Sequence, residues 1–258
     1  MRILLSNPPA SGYETIAPAP IWDYSICNYI GNKLSVLNGT SDTTFLFDRK
    51  APTITAVSMN IHDFDSLSGV VTFIASEGMY SNPFGAGSIN IDDFNLAFYP
   101  NNGHATDAVI DSVKNINLDM LTGGENTVSI FFHTVFSPSG TEQIAISPAT
   151  SNSIFDPAGN PMAQTTISER LYLPDRIPPE FIAGSASISS DNSYVIFTLS
   201  EGVYGNWESR TPAEPSDFFV EFIPNGGSAT GANVSYITNS RQFPLVGGED
   251  TLRCYLDI

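Results

Sequence analysis

Four sequence blocks recur at one spacing along this chain, so the folding unit must be small enough to be repeated. Ser76-Glu77-Gly78-Met79-Tyr80 returns as Ser200-Glu201-Gly202-Val203-Tyr204, and Asp93-Phe94 returns as Asp217-Phe218. Pro100-Asn101-Asn102-Gly103 returns as Pro224-Asn225-Gly226-Gly227, and Gly123-Gly124-Glu125 as Gly247-Gly248-Glu249, all at an offset of 124 residues. A second correspondence runs the other way: Ser25-Ile26-Cys27-Asn28 parallels Ser153-Ile154-Phe155-Asp156, and Gly12 and Glu14 parallel Gly140 and Glu142, at an offset of 128. Surface loops absorb insertions at little free-energy cost, which accounts for the small change of offset.

The segments Asp48-Arg49-Lys50-Ala51-Pro52 and Asp175-Arg176-Ile177-Pro178-Pro179 lie 127 residues apart and read as junctions. On this reading residues 1–47 are the C-terminal part of a preceding copy, 48–174 one complete copy, and 175–258 the N-terminal part of a following copy. Both ends are then truncated, and any export signal or anchor is expected outside these residues. Met1-Arg2-Ile3-Leu4-Leu5 is broken by Pro8-Pro9 before a signal core of about 7 to 15 apolar residues can form.

Within the complete copy, short β-branched and aromatic runs alternate with Gly, Pro, Asn and Asp, with no sustained helical spacing. Strands are expected near Thr53–Ile61, Gly69–Ser76, Phe94–Tyr99, Val109–Val113, Asn126–His133, Glu142–Ser147 and Thr166–Leu173. In Val71-Thr72-Phe73-Ile74-Ala75 the period of two places Val71, Phe73 and Ala75 on one face, and their counterparts Val195, Phe197 and Leu199 are also apolar. Seven such strands per copy predict an all-β chain of tandem immunoglobulin-like β-sandwich repeats. The Cys-Trp-Cys pattern of antibody domains is absent, and Trp22 and Trp207 fall in loops.

Composition narrows the partners. With 27 Asp+Glu against 10 Lys+Arg, the formal charge of −17 repels phosphate backbones and anionic lipid, so nucleic acid and membrane-surface binding are not expected. No run reaches the roughly 18 apolar residues of a membrane span. Cys27 and Cys254 fall in different copies, so a disulfide between them is not expected; both read as small buried residues.

Ile144-Ala145-Ile146-Ser147-Pro148-Ala149, Ile154-Phe155-Asp156-Pro157-Ala158-Gly159-Asn160-Pro161-Met162 and the strand end Phe73-Ile74-Ala75-Ser76-Glu77-Gly78 resemble the bacterial Ig-like repeats of S-layer proteins and large surface adhesins. Thr198-Leu199-Ser200-Glu201 matches that strand end more closely still. The resemblance implies a secreted or cell-surface, extracellular array without catalysis of its own, acting as a stalk or spacer beside neighbouring repeats of the same chain. Alternatives are an adhesin domain whose variable loops, residues 81–92 and 206–216, contact a glycan or surface protein, and an accessory array of a secreted enzyme.

No catalytic signature stands out. His62, His104 and His133 are scattered, and neither a phosphate loop nor a His-Glu-x-x-His stretch occurs. The candidate metal ligands are Glu77, Asp156 and Asn160, with Asp63 and Asp65 as further oxygens. A hard cation such as Ca2+ takes six to eight oxygen ligands of these kinds. The competing reading of Asp156-Pro157-Ala158-Gly159-Asn160 is a tight turn with Asp as its backbone cap, and of Glu77 a hydrogen-bond acceptor beside a bulge at Gly78.

Overall fold

The computed structural model describes residues 8–22, 25–34, 43–60, 65, 67–208 and 211–258. They divide into two compact units, Met1–Ile177 and Pro178–Ile258. Every sheet is antiparallel.

The first unit begins with a two-stranded ribbon, β1 (Thr15–Ile16) and β2 (Thr44–Phe45). Then come β3 (Ile54–Met59), β4 (Ser68–Met79), β5 (Phe94–Tyr99), β6 (Asp107–Asn115), β7 (Glu125–Val135), β8 (Gln143–Pro148) and β9 (Leu171–Tyr172). They form a four-stranded sheet in the order β3-β4-β7-β6 and a three-stranded sheet in the order β5-β8-β9. The seven expected strands are present in order, and the expected β5 span is reproduced. The last strand is shorter than Thr166–Leu173: the Ser168 hydroxyl accepts the Ile146 N–H at 2.9 Å, and the Ser168 N–H donates to the Ile146 carbonyl, so this edge is stitched by a side chain before the ladder starts at Leu171.

Alternation determines what the sheets bury. Val71, Phe73 and Ala75 of β4 point into a shared core with Val128, Ile130 and Phe132 of β7, and the other sheet contributes Phe94, Ile144 and Ile146. Phe73 meets Phe94 edge to face, ring centroids 5.4 Å apart, an arrangement the ring quadrupoles favour. The result is an all-β core between two sheets, as in a β-sandwich. Fully burying each such side chain stabilises the fold by about 1.5–3 kcal/mol.

The second unit contains β10 (Ser187–Ile188), β11 (Tyr194–Val203), β12 (Asn233–Asn239) and β13 (Glu249–Asp257), in the order β10-β11-β13-β12. Its pairings Val195↔Cys254 and Phe197↔Leu252 fall at the positions of Val71↔Ile130 and Phe73↔Val128. Phe197, Leu199, Ile237, Leu252 and Cys254 form its apolar cluster. Cys254 is buried as expected, and burial pushes its thiol up to about 11. Cys27, expected to be buried, is exposed, whereas its counterpart Phe155 is buried and bridges both Tyr80 and Pro161.

Candidate metal centre

The site begins with a flaw in a ladder. Along β4, pairing with β7 runs regularly to Ile74↔Thr127 and resumes only at Met79↔Glu125, so residues 75–78 bulge. Gly78 makes this possible: a Cβ there would stand 2.6 Å from the Gly124 carbonyl oxygen. Bulges re-aim side chains at strand ends, and this one carries Glu77. The equivalent irregularity lies between Thr198 and Val203 in β11.

The second element is the turn at Asp156. The Asp156 N–H donates to the Asn160 carbonyl at 3.1 Å and the Gly159 N–H to the Asp156 carbonyl at 3.1 Å, with Gly159 at φ +85°. The Asp156 side chain closes the turn, Oδ1 accepting the Asn160 N–H and Oδ2 the Asn160 side-chain amide, both at 2.8 Å. Asn160 therefore holds the Asp156 carboxylate in place through its amide nitrogen. The expected turn and the expected ligand position coincide in one residue.

Asp48 is the third element. Its carboxylate caps the chain at the junction by accepting the Lys50 N–H at 2.9 Å, while its Cβ rests against the position of Gly12. One carboxylate oxygen each of Asp48, Glu77 and Asp156 lie within 4.8 Å of one another, Asp156 buried and the other two partly so. Each oxygen of Asp156 has a second lone pair beyond its Asn160 bond, so the turn and a cation can share it.

The electrostatics are unfavourable without a counter-charge. Burial, then the neighbouring Asp156 and Asp48 charges, push the Glu77 carboxyl above the usual carboxylate range, with Lys50 only partly opposing them. Three carboxyl groups around one point have the oxygen-only chemistry that suits Ca2+ over a transition metal.

The tail offers an internal comparison. Asn28 stands at the position of Asp156, and its Oδ1 accepts the N–H groups of Ile30 and Asn32, while Asn28 N–H bonds the Asn32 carbonyl at 2.9 Å. The same turn therefore closes around a neutral amide. The charge on Asp156 exceeds what the turn requires.

Of the expected ligands, Glu77 and Asp156 converge and Asn160 positions one of them. Asp65 instead accepts the Leu67 and Ser68 N–H groups at the opposite end of β4, about 30 Å along the strand from Glu77 at roughly 3.3 Å per residue. Asp63 and His62 lie outside the described residues. Asp48 was missed, although its signal was present as the first residue of the recurring junction. His133 pairs with Asp111 at 2.6 Å, and His104 bonds the Ser137 carbonyl at 3.0 Å beside the Phe136 ring. Both histidines are outside the acidic cluster.

A second carboxylate that sequence reasoning noted only as a repeat marker is Glu142, fully buried. It accepts N–H groups from Ala105 at 2.8 Å and Ser139 at 2.9 Å, and the Ser139 hydroxyl at 3.2 Å. Burial pushes this carboxyl up, but those donors outweigh it and hold it below the usual range. No protein-family model, curated protein or solved structure matches the chain.

Proposed function

We propose that this chain is a non-catalytic structural module, a stretch of tandem immunoglobulin-like β-sandwich repeats serving as stalk or spacer of a bacterial secreted or cell-surface protein. The observation that carries the reading is the meeting of Asp48, from the segment joining residues 1–47 to the complete copy, with Glu77 and Asp156 of that copy. A Ca2+ ion bound there ties the junction to two fixed points of the sandwich. Because the unfolded chain does not gather these three carboxylates, the ion stabilises the folded, clamped form.

The test is thermal melting of the chain with Ca2+ and with chelator. At free Ca2+ about 100 times Kd, linkage gives roughly 2.7 kcal/mol of stabilisation. Asp48→Asn should lose the shift while leaving the chelator midpoint unlowered. An identical midpoint with and without Ca2+ sinks the cation clamp.

A second reading, adhesion through variable loops, is supported by Phe84 and Trp207, which stand 87% and 84% exposed in those two loops. Aromatic residues are the type enriched at binding hot spots. A glycan array whose signals vanish in Phe84→Ala and Trp207→Ala would favour it over a pure spacer.

A further inference from the structure

The outward face of the three-stranded sheet carries side chains that the repeat does not require. Phe98, Ile144 and Leu171 pack into the core, so by alternation their neighbours Tyr99, Gln143 and Tyr172 turn outward. The three stand directly opposite one another, Tyr99↔Gln143 across β5 and β8 and Gln143↔Tyr172 across β8 and β9. Arg170, two residues before Tyr172, shares their face, and its guanidinium lies over the Tyr99 ring, 3.8 Å from the centroid. To reach that ring it must cross β8, and the next pair on this face, Ala97↔Ala145, is small enough to be crossed. Ala145 is only 1% exposed, as a covered floor should be. All of these residues belong to the complete copy, on a sheet that has its full set of strands.

Arg170 is a positioned cation with its donors still available. A guanidinium offers five N–H groups in a rigid fork. No acceptor or carboxylate among the described residues takes one from Arg170, in a chain with 27 Asp+Glu. Stacking on Tyr99 already orders the side chain, so less freedom remains to be lost on binding. Beside it, Gln143 Oε1 accepts from the Asn101 side-chain amide at 3.4 Å, which leaves the Gln143 NH2 end for a ligand. Tyr172 is 64% exposed and presents both a ring face and a hydroxyl. In the neighbouring copies Ile223, Thr15, Thr43 and Phe45 stand at the positions of Tyr99, Gln143, Arg170 and Tyr172. The repeat is specified without any of the four.

We propose that Tyr99, Gln143, Arg170 and Tyr172 form a binding site for a sugar bearing a carboxylate, a sialate or a uronate. The Arg170 fork takes the carboxylate through two parallel N–H···O bonds. The Gln143 amide donates to a sugar oxygen, and the apolar face of the pyranose lies on Tyr172. The formal charge of −17 repels a long polyanion, but charge fields fade beyond about 8 Å at physiological ionic strength, so a single carboxylate meets mainly its local cation. An acidic peptide fits less well, because a sheet face offers no backbone edge for strand addition. The site shares no residue with the acidic cluster or with loops 81–92 and 206–216, so it goes beyond both readings above.

The test is titration of the full chain into the millimolar range with sialyllactose and with methyl glucuronide, read by amide NMR shifts at residues 143 and 170–172. Lactose and methyl glucoside are the uncharged controls, and N-acetylglutamate supplies a carboxylate without a sugar. One or both acidic sugars should bind, which identifies the source, and each control should bind at least about tenfold more weakly, the factor for a hydrogen bond to a charged group. Arg170→Lys keeps the charge and a stem over Ala145 but loses the fork, and should weaken binding by about tenfold or more with an unchanged melting curve. Tyr172→Ala, at an exposed position, should weaken it too. Shifts with neither acidic sugar overturn the proposal, as does binding that Arg170→Lys leaves intact. Equal affinity for N-acetylglutamate removes the sugar from it, and equal affinity for the uncharged sugars removes the carboxylate; either result overturns it.

Discussion

Replacing Glu142 by alanine should be among the most destabilising single changes in the first unit. The carboxylate is fully buried and gathers the N–H groups of Ala105, Ser139 and, at 3.2 Å, Thr141. Losing it strands these donors at about 1–3 kcal/mol each where they stay buried. Residues 100–106 form a surface turn in which water can recover part of that, so a total of about 3–5 kcal/mol is expected. For a unit of this size each kcal/mol moves Tm by about 2–4 °C, so the fall should be roughly 6–20 °C. The assay is calorimetry of the chain, with Glu14→Ala as internal control. Glu14 makes the same local bonds to Ser11 but is exposed, and its loss should leave the midpoint nearly unchanged. The pH dependence has a fixed sign. A carboxyl held below its unfolded value of 4.5 contributes stability above that value and loses it as pH falls through the folded value, so wild type and variant should converge on acidification. Equal losses for Glu142→Ala and Glu14→Ala would refute the buried-acceptor argument.

Gly78→Ala should destabilise by about 1–3 kcal/mol through overpacking against Gly124, as urea midpoints would report. The Glu77 carboxyl is shifted the other way from Glu142, so its ionisation opposes folding above its raised folded value and that penalty fades as pH falls toward 4.5. Glu77→Gln should therefore raise the chelator-treated midpoint at pH 7 and leave it nearly unchanged at pH 4. A thiol reagent at pH 8 should label Cys27 in the native chain and reach Cys254 only after unfolding, since the latter is buried with its thiol pushed up to about 11; native labelling of both would contradict the burial.

Much of the fold was legible because period-two alternation is a local signal. Val71, Phe73 and Ala75 declare their face within five residues, and Gly78 declares a bulge. What was not legible depends on neighbours brought from far along the chain. Cys27 aligns with Phe155 and so read as buried, yet it is exposed, whereas Phe155 is buried and bridges Tyr80, which lies far from it in sequence. The early end of the β9 ladder rests on Ser168 capturing Ile146, two residues 22 apart in sequence. At the site, the Asp156 turn was readable as a turn, whereas Asp48 became a candidate only once the fold had set it beside Glu77.

The two glutamates separate structural acids from acids that invite a ligand. Glu142 is the more deeply buried, yet its pKa is depressed, because backbone N–H groups supply the compensation that burial demands. Glu77 is only partly buried, yet its pKa is raised, by that burial first and then by the two carboxylates beside it. Burial alone would order them the other way. The decisive variable is whether the fold itself provides the positive partner. At Glu142 it does, so nothing further is needed there. At Asp48, Glu77 and Asp156 the cation opposing the Glu77 shift is Lys50, one charge against three carboxylates, and Asn28 demonstrates that the turn under Asp156 closes without a charge at all. A carboxylate that its own backbone does not require is the feature on which the proposed Ca2+ clamp rests.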